Sequence, residues 1–113
     1  MAGDLASSFK QAVALAEAQD KDRATRIYAD IDLRDYYQHK YSPVFVSCLK
    51  SDHADTSPFS FVAAIGADGR VLRLYIDHET NIFACVRPTL QKGEFPHPPA
   101  SPYYMHVSMS FSK

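Results

Sequence analysis

No run of apolar residues in this chain approaches the roughly 18 to 20 that a helix needs to cross a bilayer, and no basic stretch followed by an apolar one opens it, so neither a membrane span nor a leader is expected within it. Charge of one sign is never blocked. Lysine and arginine total 12 against 13 acidic residues, well mixed, which excludes the electrostatic footprint of a nucleic-acid or anionic-membrane binder. Glycine is scarce, at four residues, and none of them builds a phosphate-cradling loop or a Gly-x-Ser-x-Gly elbow. The five histidines, His39, His53, His78, His97 and His106, form no pair at ligand spacing and no Cys-x-x-Cys accompanies them, so no metal or other cofactor is expected. Internal repeats and low-complexity segments are also missing.

Cysteine is limited to Cys48 and Cys85. The pair is compatible with two buried thiols or with one disulfide, which would contribute about 4 kcal/mol of chain-entropy stabilisation and persist only in an oxidising compartment. A thiol nucleophile at Cys85 is disfavoured by its expected place on the inner face of a helix, since reactive thiolates need polar, accessible surroundings. His78 between Asp77 and Glu79 could serve general acid–base chemistry, but three polar residues at a strand-to-helix junction read better as a turn. No paired carboxylates stand out. The chain is not expected to be an enzyme.

What is present is a single domain's worth of chain, 113 residues of which 46% are hydrophobic. Leu5, Phe9, Ala12, Val13 and Ala16 recur at helical spacing behind Asp4, predicting a helix from Leu5 to Ala18 with Asp4 as its cap. Ile27 and Ile31 resume that spacing after a polar break, as a second helix or a kinked continuation. Ser42 followed by Pro43 predicts the start of a short helix over Pro43 to Lys50 with Phe45, Cys48 and Leu49 on one face, a strand over Val44 to Val46 being the competing reading. Ser51 to Pro58 reads as a loop.

Phe59 to Ile65 and Val71 to Ile76 are strands, joined through Asp68-Gly69 in a type I′ hairpin. Thr80 caps a helix over Asn81 to Gln91, with Ile82, Cys85, Val86 and Leu90 inward, Pro88 awkward in its interior and Gly93 as the helix-ending glycine. Phe95-Pro-His-Pro-Pro99 then turns the chain into a last strand, Pro102 to Phe111. Its period-2 pattern sets Tyr103, Met105, Val107, Met109 and Phe111 against an accessible row of Tyr104, His106, Ser108 and Ser110. The class is α+β, a three-stranded antiparallel sheet with helices on one face, in the order helix, helix, helix, strand, strand, helix, strand.

From Cys48 onward these elements resemble the C-terminal domain of TonB and TolA, the energy-transducing proteins of the Gram-negative cell envelope. The resemblance is carried by Cys48 ending a helix, a strand, the Asp68-Gly69 turn and a strand from Val71. Cys85 within the next helix, the Phe95-Pro-x-Pro-Pro element and a final strand closing on Phe111 complete it. It implies a core over 42–113 behind a helical N-terminal extension over 1–41, pairing of Cys48 with Cys85, and a periplasmic or envelope location with a leader already removed. The Tyr-rich N-terminal part lies outside the pattern and no anchor or proline-rich spacer precedes the domain, so energy transduction, which needs the anchor, is not carried over.

The expected function is binding of another envelope protein by strand addition at the final strand, through Tyr104, His106, Ser108 and Ser110. The same edge would also accept a second copy. Tyr36, Tyr37 and Tyr41, in the least periodic segment, are expected to form an exposed contact patch. The alternative is an inhibitor or immunity-type protein that blocks an enzyme through His53 to Ser57 or Phe95 to Pro99. Mass spectrometry of alkylated, unreduced protein is expected to find no modified thiol; two would favour the thiol-enzyme reading.

Overall fold

The computed structural model describes residues 5–50 and 57–110. Asp4, the loop residues Ser51 to Thr56 with His53, and the closing Phe111 lie outside the described residues. Helices α1 (Phe9–Gln19), α2 (Arg23–Ile27) and α3 (Arg34–Leu49) precede a hairpin of β1 (Phe59–Ile65) and β2 (Val71–Ile76), followed by α4 (Asn81–Gln91) and β3 (Tyr103–Met109). The sheet is antiparallel with order β2-β1-β3. The fold is therefore α+β, in the element order expected.

Ser8, not a residue at position 4, caps α1, its hydroxyl accepting from the Gln11 N–H at 3.1 Å. Asp22 caps α2 in the same way through Thr25, and from there the chain stays helical to Leu49 through a π-helical segment, Tyr28–Leu33. The wider turn places Tyr28 and Leu33, five apart, on the same buried side.

Ser42-Pro43 starts no helix; it lies inside α3. An interior proline costs about 3 kcal/mol and strips one carbonyl of its donor, here that of His39, but both residues are exposed and water can serve that carbonyl. Against the cost stands a stripe of Leu33, Tyr37, Tyr41, Phe45 and Cys48, at spacings of four and three, which packs against one core on both sides of the proline. The same reasoning explains α4, capped by Thr80 as expected, where Pro88 and Ala84 also face solvent.

The inward stripe of α4 is Ile82, Phe83, Val86 and Leu90. Cys85 stands to its side, exposed rather than inward, because at 100° per residue it falls outside that stripe. From there it reaches Cys48 of α3, with an S–S distance of 1.99 Å and Cα atoms 6.0 Å apart. The bond ties the two helices covering one sheet face.

The hairpin turn is not type I′. Only Gly69 has positive φ, +86°; Gly69 N–H bonds Gly66 C=O at 2.9 Å, Gly66 N–H bonds Arg70 C=O at 2.8 Å, and the register slips between Ala64 and Ile65. This is the longer turn with one left-handed glycine and a bulge, which Ala67 enters without strain.

Helices lie on both faces of the sheet, not one. Phe59, Phe61, Ala63 and Ile65 of β1 pack with α3, α4, Tyr28, Leu33, Phe95, Tyr103 and Met105. Val62 and Ala64 point oppositely, with Tyr75 and Tyr104, onto Ala6, Ala12, Phe9, Val13 and Ala16 at and near α1. The 1–41 segment thus contributes to both cores, and the expected division at 41/42 falls within α3.

Tyr41 is fully buried and stacks on Phe95 at 5.3 Å, while its Oη has no hydrogen-bond partner among the described residues. Gly93 does not use its left-handed freedom; it is small because a Cβ there would overlap that Oη. Tyr41→Phe is expected to stabilise the fold by about 1 kcal/mol and Gly93→Ala to destabilise it by about 1–3 kcal/mol. Combined, they should cost less than the sum, in urea unfolding; strict additivity would show that the hydroxyl is not what Gly93 makes room for.

Candidate functional site

β1 is central, so β2 and β3 each carry an edge, and the ladder determines which backbone groups face outward. In antiparallel pairing, successive residues turn their N–H and C=O alternately toward opposite neighbours. Asp77 N–H donates to Ser60 C=O at 3.1 Å, so Ser60, Val62 and Ala64 serve β2, and Phe59, Phe61, Ala63 and Ile65 serve β3. Their partners Met109, Val107, Met105 and Tyr103 point inward to β1. The backbone groups of Tyr104, His106 and Ser108 point away from the sheet.

Gln19, at the end of α1, confirms this direction independently. Its Nε2 donates to Pro102 C=O and its Oε1 accepts the Tyr104 N–H, both at 2.8 Å. One carboxamide thus serves the carbonyl and amide that a neighbouring strand would serve. Among the described residues, no hydrogen bond occupies the outward N–H and C=O of His106 or Ser108.

The two edges differ in protection. β2 starts at an isolated bridge between Arg70 and Glu94, lies opposite the bulge, and carries the exposed Arg73, all features that discourage further pairing. Tyr103–Met109 contains no Asp, Glu, Lys or Arg and no proline, and makes seven unbroken pairs with β1. It is the flatter edge.

That edge forms the floor of a groove of about 600 Å³. One wall is Ala16, Glu17 and Asp20 of α1 and its cap; the other is Ala29 and Leu33 of the π-helical segment with Arg34, Tyr37, Gln38 and Ser42 of α3. Side chains of β3 divide between the walls. His106 meets Phe9 edge-on at 6.1 Å on the α1 side, and Met109 Sδ lies 4.0 Å from Tyr37 Oη on the α3 side.

Of the residues expected on the accessible face, His106, Ser108 and Ser110 are exposed, and Ser108 Oγ lies 3.1 Å from Ser60 Oγ. Tyr104 is not. It is buried beneath α1, its hydroxyl accepting the Ala6 N–H at 3.1 Å, because the second helical layer covers the face that alternation alone left open. Nor do Tyr36, Tyr37 and Tyr41 form an exposed patch: Tyr41 is buried and the other two are half-buried against the core. Of the three, Tyr37 reaches the groove.

Phe95 to Pro99 is anchored rather than free, with Phe95 buried and Pro96 C=O accepting from Tyr28 Oη at 2.7 Å. Asp77 takes the His78 N–H at 2.7 Å, a local contact at the strand end, and Glu79 forms an ion pair with Arg87 of α4. No group of three His, Cys, Asp or Glu among the described residues could hold a metal ion, and no described helix is long and apolar enough to cross a membrane. The groove and Gln19 were missed by sequence reasoning; an amide side chain at a helix end carries no pattern that names its distant partner.

Searches among protein-family models, curated proteins and solved structures return no match to this chain.

Tyrosine titration reports on this region. Burial, then the nearby Asp20 and Asp30, pushes Tyr103 up to about 12. Burial raises Tyr28, Tyr37 and Tyr41 well beyond the ordinary phenol range, with Tyr103, Tyr41 and Tyr36 respectively adding to it. Because these groups hold their protons more tightly folded than unfolded, their contribution to stability is complete below the unfolded value near 10 and is lost as pH rises through the folded values. Alkaline titration should therefore show the phenolate absorbance of these four appearing together with unfolding, above about pH 10; their ionisation with near-UV dichroism intact would contradict the burial.

Proposed function

We propose that this chain is a non-enzymatic protein-binding domain of the cell envelope, of the TonB and TolA C-terminal type, that binds a partner protein by adding its strand to the β3 edge. The observation that carries the reading is the free edge itself. His106 and Ser108 present outward backbone groups along the floor of a groove open to an extended segment. The helix, strand, strand, helix, strand order behind the Cys48–Cys85 bond supports the family comparison, and a disulfide is compatible with an oxidising compartment such as the periplasm.

Main-chain pairing supplies affinity in this mode, and the alternate side chains supply selectivity. Gln19 limits the free edge, because its carboxamide already occupies Pro102 C=O and Tyr104 N–H.

Ser108→Pro tests the reading, since it removes an outward donor without removing a backbone bond to β1, giving up only the exposed hydroxyl contact with Ser60, and an edge strand tolerates a proline at such a position. The variant is expected to keep the far-UV dichroism and nearly the urea midpoint of the parent while losing affinity for the partner at least tenfold, measured by calorimetry. Unchanged affinity in a folded Ser108→Pro protein would refute edge pairing.

A further inference from the structure

We infer that the segment received by the β3 edge is a cationic, amphipathic strand, with basic side chains alternating with apolar ones. This rests on the edge-pairing reading and specifies the chemistry of the partner. A strand laid along β3 sends successive side chains to opposite faces of the sheet, and here the two faces are walled differently.

On the α3 side the wall is apolar where it meets the core, with the exposed Arg34, Gln38 and Ser42 beside that apolar part. Ala29, Leu33 and Tyr37 line the groove beside Val107 and Met109 of β3, and all five pack on the larger core. An apolar side chain directed there would extend that core. On the α1 side the wall carries Glu17 and Asp20, both exposed. Neither is ion-paired among the described residues, and Asp20, with Asp30, is close enough to disfavour the Tyr103 phenolate.

Among the described residues lining the groove, Arg34 is the one lysine or arginine, and it lies on the opposite wall. A residue directed to the α1 side therefore meets two carboxylates, and a lysine or arginine there would neutralise them while an acidic residue would be repelled. Alternation is imposed by the strand, so the basic positions fall two apart with an apolar residue between. A second copy of this chain fits poorly as the occupant, because its own β3 offers Tyr103, Met105, Val107 and Met109 on one face but no lysine or arginine on the other, only Tyr104, His106 and Ser108.

Selection of a displayed random-peptide library on the immobilised, oxidised protein tests this, run in parallel on Ser108→Pro, on Gln38→Trp to fill the groove from an exposed wall position, and on Glu17→Lys/Asp20→Lys. Expected are peptides with Lys or Arg at alternate positions interleaved with apolar residues, absent from the Ser108→Pro and Gln38→Trp selections. Synthetic versions should bind Glu17→Lys/Asp20→Lys about tenfold more weakly than the parent, and that variant should select acidic alternation instead. Peptides lost on Ser108→Pro and Gln38→Trp but lacking the basic alternation would overturn this inference and leave edge pairing standing. Peptides that bind all variants equally would overturn edge pairing as well. If no peptide is enriched, sedimentation decides: a dimer abolished by Ser108→Pro makes a second copy the occupant and overturns the cationic partner, and a monomer overturns both readings.

Discussion

The structure depends on β1 having no side that can be left in water. Phe59, Phe61, Ala63 and Ile65 cover one face, Val62 and Ala64 the other, and all are buried. Such a strand requires a layer on each face and a neighbour on each edge. α3 and α4 supply one layer and α1 the other, while β2 and β3 take the edges. Antiparallel pairing on both sides then dictates the parity of every backbone group, including which residues of β3 face outward.

The helical layers do more than cover β1. The two layers rise on either side of β3, so its edge is recessed between α1 and the π-helical and α3 segments. A recessed edge admits an extended chain more readily than another folded sheet. Gln19 completes the first rung with a side chain where backbone would otherwise lack a partner, in keeping with the cost of leaving such groups unpaired. The β2 edge is treated differently, with a bulge, an arginine and a bridge to Glu94. This asymmetry between the edges, β2 protected and β3 open, is what the proposed strand addition rests on.

The larger core is strongly aromatic, with Phe45, Phe59, Phe61 and Phe83 in ring contact and the Tyr41–Phe95 stack joined to them through Tyr37. Two helices with interior prolines line it, and both prolines face solvent, so each forfeited hydrogen bond falls where water can replace it. The Cys48–Cys85 bond joins these helices across 37 residues of sequence, which restricts the unfolded chain more than it shapes the folded one. The tyrosine-rich segment belongs to this core. Leu33, Tyr37, Tyr41, Phe45 and Cys48 were in register all along, but Pro43 masked the stripe as a helix start.

By itself the sequence determined what depends on neighbours within a few residues: the strands Phe59–Ile65 and Val71–Ile76, the Thr80-capped helix to Gln91, the turn at Asp68-Gly69, and the alternation of β3. Periodicity and caps are local properties, and local properties survive without knowledge of the rest of the chain. Only the tertiary structure decided that Tyr104 is buried, that Tyr41 is core, that Cys85 sits at the flank of its helix, and that α1 covers the second sheet face. Each of these follows from which distant element lands on a residue, and burial is a property of that pairing. The groove is the extreme case, since its floor and its two walls come from opposite ends of the chain and meet only because β1 has to be covered on both sides.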